Sequence, residues 1–117
     1  MPVEINWVVS QKGMSTMKAV CKEYLEKQFG DESVVADIYD EYARSAREKA
    51  EEAAAALNEE RYDDLDHIAH AAKGNALAVG DQESMETAVA LRAAAKARDR
   101  GESAALVARL KELAAVL

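Results

Sequence analysis

Residues 65–80 read L-D-H-I-A-H-A-A-K-G-N-A-L-A-V-G, and this stretch has the periodicity of an amphipathic helix. With about 100° of rotation per residue, its core-forming apolar side chains fall within about 60° of Leu65 and form one stripe. His70 lies about 140° from Leu65, Lys73 about 80° and Gly74 about 180°. The pattern therefore predicts a helix that packs through its apolar stripe and presents His70 to solvent.

Lys73 and Gly74 indicate what an exposed histidine does in this position. A glycine inside a helix costs about 1 kcal/mol relative to alanine, and core packing does not require one on the solvent side. A bare backbone there lets another molecule approach His70 closely. Lys73, one turn after His70, is placed to meet an anion carried by the imidazole ring. Together these features are typical of a histidine that receives a phosphoryl group from a docking partner.

The spacing H-x-x-K-G-x-x-x-x-x-G over residues 70–80, with the small Ala69 before it, resembles the signature of histidine phosphotransfer (HPt) domains. These domains are the intermediate carriers of multistep two-component phosphorelays. The pattern of helices from about Met14 onward is also similar to that family. The resemblance implies that His70 accepts a phosphoryl group from the phosphoaspartate of a receiver domain and passes it to another response regulator. Lys73 would then neutralise charge, and Gly74 would give the receiver room.

The same resemblance implies the partners of the chain. They are response-regulator receiver domains and a hybrid sensor histidine kinase, and the receiver supplies Mg²⁺, so we expect no cofactor and no metal bound by this chain. Leu77 is expected in the patch on which receivers dock. Arg92 stands where several family members have a glutamine that faces the histidine across the helix pair. Our hypothesis is that Arg92 adds a second cation near the phosphoryl group.

Apolar periodicity and capping residues predict five helices around this motif. The expected fold class is all-α, an up-and-down antiparallel four-helix bundle with an additional N-terminal helix. The bundle domain would span residues 14–117, and the alternating apolar residues of the first segment, residues 1–13, predict an N-terminal arm. The predicted helices cover about 14–28, 31–57, 59–79, 82–99 and 102–116. Their expected features are N-caps at Asp31 or Ser33, Asn58 and Asp81, a turn at 99–101, and inward-facing Met85, Ala88, Val89 and Ala95.

Composition limits the possible functions of this 117-residue chain. The formal net charge of −7 argues against nucleic-acid binding, which depends on neutralising phosphates. We see no signal peptide and no run of about 18 apolar residues, so no membrane segment is expected. The single cysteine, Cys21, leaves no intrachain disulfide, and a cytoplasmic, monomeric protein is expected.

Three other interpretations remain open at this stage. The chain could be a non-catalytic interaction bundle, or the phosphoacceptor module of a split histidine kinase. It has no Gly-rich ATP-binding segment, so it would be a phosphoryl carrier without kinase activity of its own. A third alternative is a metal ladder along one helix, formed by the residues Asp63, Asp66, His67 and His70. These side chains point outward from a single helix, which disfavours a functional metal site.

Overall fold

A computed structural model describes residues 17–117, and this part of the chain is all-helical, without strands. None of its helices is both long enough and apolar enough to cross a membrane. The predicted arm, and the predicted helix start at Met14, lie outside the described residues. The helices are α1 (Ala19–Phe29), α2 (Glu32–Asn58), α3 (Tyr62–Ala78), α4 (Gln82–Lys96) and α5 (Arg100–Ala115).

Three connections, residues 59–61, 79–81 and 97–99, share one backbone geometry. The middle residue of each has a positive φ, 56° at Glu60, 70° at Gly80 and 54° at Arg98. The next N–H then bonds to a carbonyl of the preceding helix at 2.8–3.0 Å, pairing Arg61 with Ala56, Asp81 with Ala76 and Asp99 with Ala94. This is the Schellman pattern of helix termination. Each helix thus ends within a few residues of the start of the next.

Two predicted boundaries are wrong because of these connections. Asn58 does not cap α3, since it is the last residue of α2, and α3 begins at Tyr62 without a side-chain cap. The turn predicted at 99–101 lies earlier, because Asp99 accepts a hydrogen bond from the N–H of Glu102 as the N-cap of α5. The predicted N-caps Asp31 and Asp81 are confirmed.

The four longer helices form a closed ring of neighbours. α2 packs against α3 and α5, and α4 packs against the same two helices, while α1 packs on α2. This arrangement is that of a helical bundle. Alanine supplies six of the eleven buried residues in the main core cluster, so the helix backbones can approach closely.

The predicted apolar faces are largely buried. On α3, Leu65, Ala69 and Ala76 are buried as the helical period predicts. Val89 is the exception, because it is 46% exposed. α4 instead turns Ala88, Leu91 and Ala95 towards the core, which leaves Val89 on the outer surface. The predicted inward position of Val89 is therefore wrong.

Asp81 ties the segment before α1 to the start of α4. Its buried carboxylate accepts hydrogen bonds from Lys18 Nζ at 2.7 Å, from the Tyr42 hydroxyl at 2.6 Å and from Ser84 Oγ at 2.9 Å. Burial alone would raise the pKa of Asp81, but the hydrogen bonds from Lys18, Tyr42 and Ser84 outweigh it and hold that pKa below its usual value. The sequence indicated only the N-cap role of Asp81, because Lys18 and Tyr42 are distant in the chain.

Candidate functional site

His70 lies in the middle of α3 on the face turned away from the core. Its side chain is exposed, whereas the neighbouring Ala69 is fully buried. The position follows from the helical period, because residues at 69 and 70 point about 100° apart. The ring is therefore accessible to a molecule that approaches α3 from outside.

Arg92 on α4 contacts His70 across the helix pair. Its Nη1 lies 3.0 Å from His70 Nδ1, and its Nε donates to Asp66 Oδ1 at 2.8 Å. Asp66 and His70 are one turn apart on α3, so a single guanidinium bridges both side chains. The hydrogen bond from Arg92 holds the pKa of Asp66 below its usual range, so Asp66 is a carboxylate at neutral pH.

A cationic groove lies between α3 and α4 beside His70. Lys73, Arg92 and Lys96 line it, together with Val89 and Ala93. Lys73 is half-buried, and it makes no ion pair with any residue of 17–117. Arg92 is paired with Asp66, but neither Lys73 nor Lys96 makes an ion pair within residues 17–117, so this surface is locally attractive to anions although the chain has a net charge of −7.

The two glycines at the edges of this motif have different structural roles. A Cβ added at Gly74 would meet no atom within 4 Å, so packing within the described chain does not require glycine there. A Cβ added at Gly80 would lie 2.6 Å from the Tyr24 ring, and the backbone has a φ of 70°. Gly80 is thus required by the fold, whereas Gly74 leaves the helix surface open beside His70.

Two large apolar side chains are exposed on α3 and α4. Leu77, two turns after His70, is 51% exposed, in keeping with the surface position expected from the sequence. Val89 lines the cationic groove with Lys73 and Arg92. Sequence reasoning missed Val89 as a surface residue, because it grouped Val89 with Met85 and Ala88, whereas the buried stripe of α4 follows Ala88, Leu91 and Ala95.

The possible metal ladder does not converge into a site. Asp66 is bound by Arg92, and Asp63 pairs with Arg98 at 3.1 Å. His67 is exposed. Within residues 17–117 no group of three or more histidine, cysteine, aspartate or glutamate side chains is placed to hold a metal ion. Both carboxylates are paired with arginines instead, Asp66 with Arg92 on α4 and Asp63 with Arg98 in the connection after it.

The described part of the chain is thus a helical bundle that exposes one histidine beside an arginine and a lysine. Comparisons with protein-family models, with curated proteins and with solved structures found no match to this chain. Its function is therefore inferred from the chemistry of the histidine site and from the motif in the sequence.

Proposed function

We propose that this chain is a histidine phosphotransfer domain. His70 accepts a phosphoryl group from the phosphoaspartate of a receiver domain and passes it to another response regulator. The observation that carries the proposal is an exposed His70 with Arg92 Nη1 3.0 Å from its ring and with Lys73 one turn along the same helix. A bound phosphoryl group carries up to about two negative charges near neutral pH, so adjacent cations lower the cost of holding it.

Apart from the nucleophilic ring nitrogen, this chain contributes little covalent chemistry to the transfer. A neutral imidazole nitrogen attacks phosphorus, the new N–P bond forms, and the P–O bond to the aspartate breaks with its electron pair on the leaving carboxylate. Positioning and charge neutralisation make up most of the catalysis in such reactions. The receiver would contribute Mg²⁺, and this chain would contribute the ring, Lys73 and Arg92.

The surface around His70 suits an acidic partner. The cationic groove complements the acidic cluster that a receiver domain uses to hold its metal ion, and such complementarity speeds association. Gly74 leaves the helix surface bare beside the ring, and Leu77 supplies an exposed apolar contact. We propose these residues as the docking surface for a receiver and for a hybrid sensor kinase.

We further propose that the four longer helices run up and down, as in HPt domains. The three-residue connections support this arrangement, since such short links join neighbouring antiparallel helices. A carrier of this type is expected to be monomeric, whereas the phosphoacceptor hairpin of a histidine kinase is dimeric. Sedimentation equilibrium separates the two, and a stable dimer would favour the kinase module.

The first test is phosphorus NMR after incubation with phosphoramidate. We expect a phosphohistidine signal in the wild type and in His67→Gln, and its loss in His70→Gln, because His70 is the ring beside the cations. His67 is the matched control, since it is also exposed and lies on the same helix. If the signal is lost in His67→Gln and kept in His70→Gln, the acceptor is His67 and the assignment to His70 is wrong.

The second test couples the chain to receivers. Receiver domains of the source organism are phosphorylated, mixed with the chain and Mg²⁺, and sampled for loss of label from the receiver. Transfer that requires His70 supports the proposal. If no receiver transfers to the wild-type chain, the chain is an interaction bundle and the proposed function is wrong.

A further inference from the structure

The contact between Arg92 and His70 determines which ring nitrogen carries the proton. A guanidinium has five N–H donors and no acceptor, so its hydrogen bond to Nδ1 uses the lone pair of that nitrogen. The proton of the neutral ring is then on Nε2. In this arrangement the lone pair of Nδ1 is occupied, and Nε2 has no lone pair in the ring plane. Neither nitrogen is free to attack phosphorus.

Asp66 anchors the arginine in this position. Arg92 Nε donates to Asp66 Oδ1 at 2.8 Å, and the two side chains are only 28% and 18% exposed. The guanidinium is therefore held between the helices instead of extending into solvent. Because Nε binds Asp66 and Nη1 binds His70, the second bond can open while the first remains.

We propose that Asp66 and Arg92 form a latch that holds His70 in a resting tautomer, and that the phosphoryl group of a docked partner opens it by taking the guanidinium. The inference rests on the proposed function and adds a control step to the same site. A phosphoryl group is a strong acceptor for Arg92, because its bonds are charge-assisted, whereas Nδ1 is a neutral acceptor. The partner's phosphate thus competes well for the arginine.

The opening step conserves protons and electrons. When Arg92 leaves Nδ1, the ring loses its Nε2 proton to solvent and gains one at Nδ1, which exposes the Nε2 lone pair. That lone pair forms the bond to phosphorus as the bond to the aspartate oxygen breaks. The Nδ1 proton then returns to solvent, and Nδ1 can accept from Arg92 again. The arginine is a positioning residue before transfer and contacts the phosphoryl group during it.

The test uses diethyl pyrocarbonate, an uncharged electrophile that reacts with a free imidazole lone pair and cannot draw Arg92 away. Modification of His70 and His67 is followed in the same sample by peptide mass spectrometry, with His67 as the internal reference. We expect Arg92→Met to speed modification of His70 about three- to tenfold, the worth of one hydrogen bond, with His67 unchanged. Asp66→Asn should give a smaller increase.

Lys96→Met is the matched control. Lys96 lines the same groove, and its substitution removes the same charge without removing a contact to His70. It should leave both histidines unchanged. If Arg92→Met and wild type react equally at His70, or if Lys96→Met accelerates His70 as much, the latch is wrong. The second outcome would mean that groove charge, not the contact to Nδ1, controls the ring.

Ring nitrogen NMR supplies an independent signature. Above the titration range of histidine, wild type should show a bare Nδ1 and a protonated Nε2, and Arg92→Met should show a mixture of both tautomers. A proton on Nδ1 in the wild type would overturn the proposal. Both measurements use no phosphoryl donor, so the latch can fail while phosphotransfer succeeds, or the reverse.

Discussion

At the scale of single residues, the two glycines of the motif differ in whether the fold requires them. Gly80 has a positive φ and no space for a Cβ against Tyr24, so the fold explains it completely. Gly74 lies in the helical interior of α3 with open space around it. This open space is what the proposed close approach of a receiver beside His70 would require.

Gly74→Ala should stabilise the fold while impairing transfer. Alanine is favoured over glycine in a helix interior by about 1 kcal/mol, and no atom of the described chain opposes the added methyl group. We expect urea unfolding to give a higher free energy of unfolding, and a receiver-coupled assay to give slower transfer. Unchanged transfer in this variant would mean that the receiver does not pack against Gly74.

Gly80→Ala is the matched comparison. Its methyl group would clash with the Tyr24 ring, and the left-handed backbone costs alanine about 1–2 kcal/mol. The free energy of unfolding should therefore fall. The same substitution thus has opposite effects on stability six residues apart. Equal effects at both sites would contradict the assigned backbone of the connection after α3.

At the scale of helices, Asp81 has two tasks that share one carboxylate oxygen, Oδ1, while Oδ2 accepts from the hydroxyls of Tyr42 and Ser84. It caps α4 by accepting from the Ser84 N–H, and it binds Lys18 just before α1. Because the pKa of Asp81 is lowered in the folded protein, its contribution to stability is present above the unfolded pKa of a carboxyl group. The contribution is lost as the pH falls through the lower, folded value.

Asp81→Asn should therefore destabilise the protein at neutral pH by about 1–3 kcal/mol, since it removes the buried charge that pairs with the partly buried Lys18 and leaves Lys18 only the exposed Glu83 as an ion-pair partner. Chemical unfolding at a series of pH values measures the effect. The difference between wild type and variant should begin to shrink as the pH drops below the ordinary carboxyl pKa of about 4. It should be lost once the pH falls through the lower pKa of the folded protein, where the wild-type carboxylate also becomes neutral. A difference that is constant with pH would mean that the loss is steric rather than electrostatic.

The helix connections explain why boundaries were harder to predict than faces. A glycine after α3 marks a left-handed residue in the sequence, but Glu60 and Arg98 adopt the same conformation without being glycine. Such residues carry a cost of about 1–2 kcal/mol that only the surrounding structure can offset. Sequence reasoning therefore located the end of α3 closely and misplaced the starts of α3 and α5.

At the scale of the whole molecule, charge and apolar surface are unevenly distributed. The chain is acidic overall, yet the groove beside His70 is lined by Lys73, Arg92 and Lys96. Leu77 is exposed on the same helix as His70. An acidic partner would thus be attracted to the groove, and an apolar contact would add to its affinity once docked.

Leu77→Asp should reduce transfer from a receiver by about tenfold or more, because an unpaired charge would be desolvated in an interface with an acidic partner. Helical circular dichroism should remain unchanged, since Leu77 is half exposed. Val116→Asp is the matched control, because Val116 is 73% exposed beyond the end of α5. Equal transfer by the two variants would remove Leu77 from the docking surface.

The sequence by itself determined the all-helical class, most of the buried positions on the long helices and the exposure of His70, because a 3.6-residue period and capping side chains act within one helix. The resemblance also anticipated that Arg92 faces the histidine. Only the tertiary structure decided that Arg92 binds Nδ1 and Asp66 together, that Val89 lies outside, and that Asp81 holds Lys18 across 63 residues. These contacts depend on how far each helix is rotated about its own axis when it packs, and local periodicity leaves that rotation undetermined.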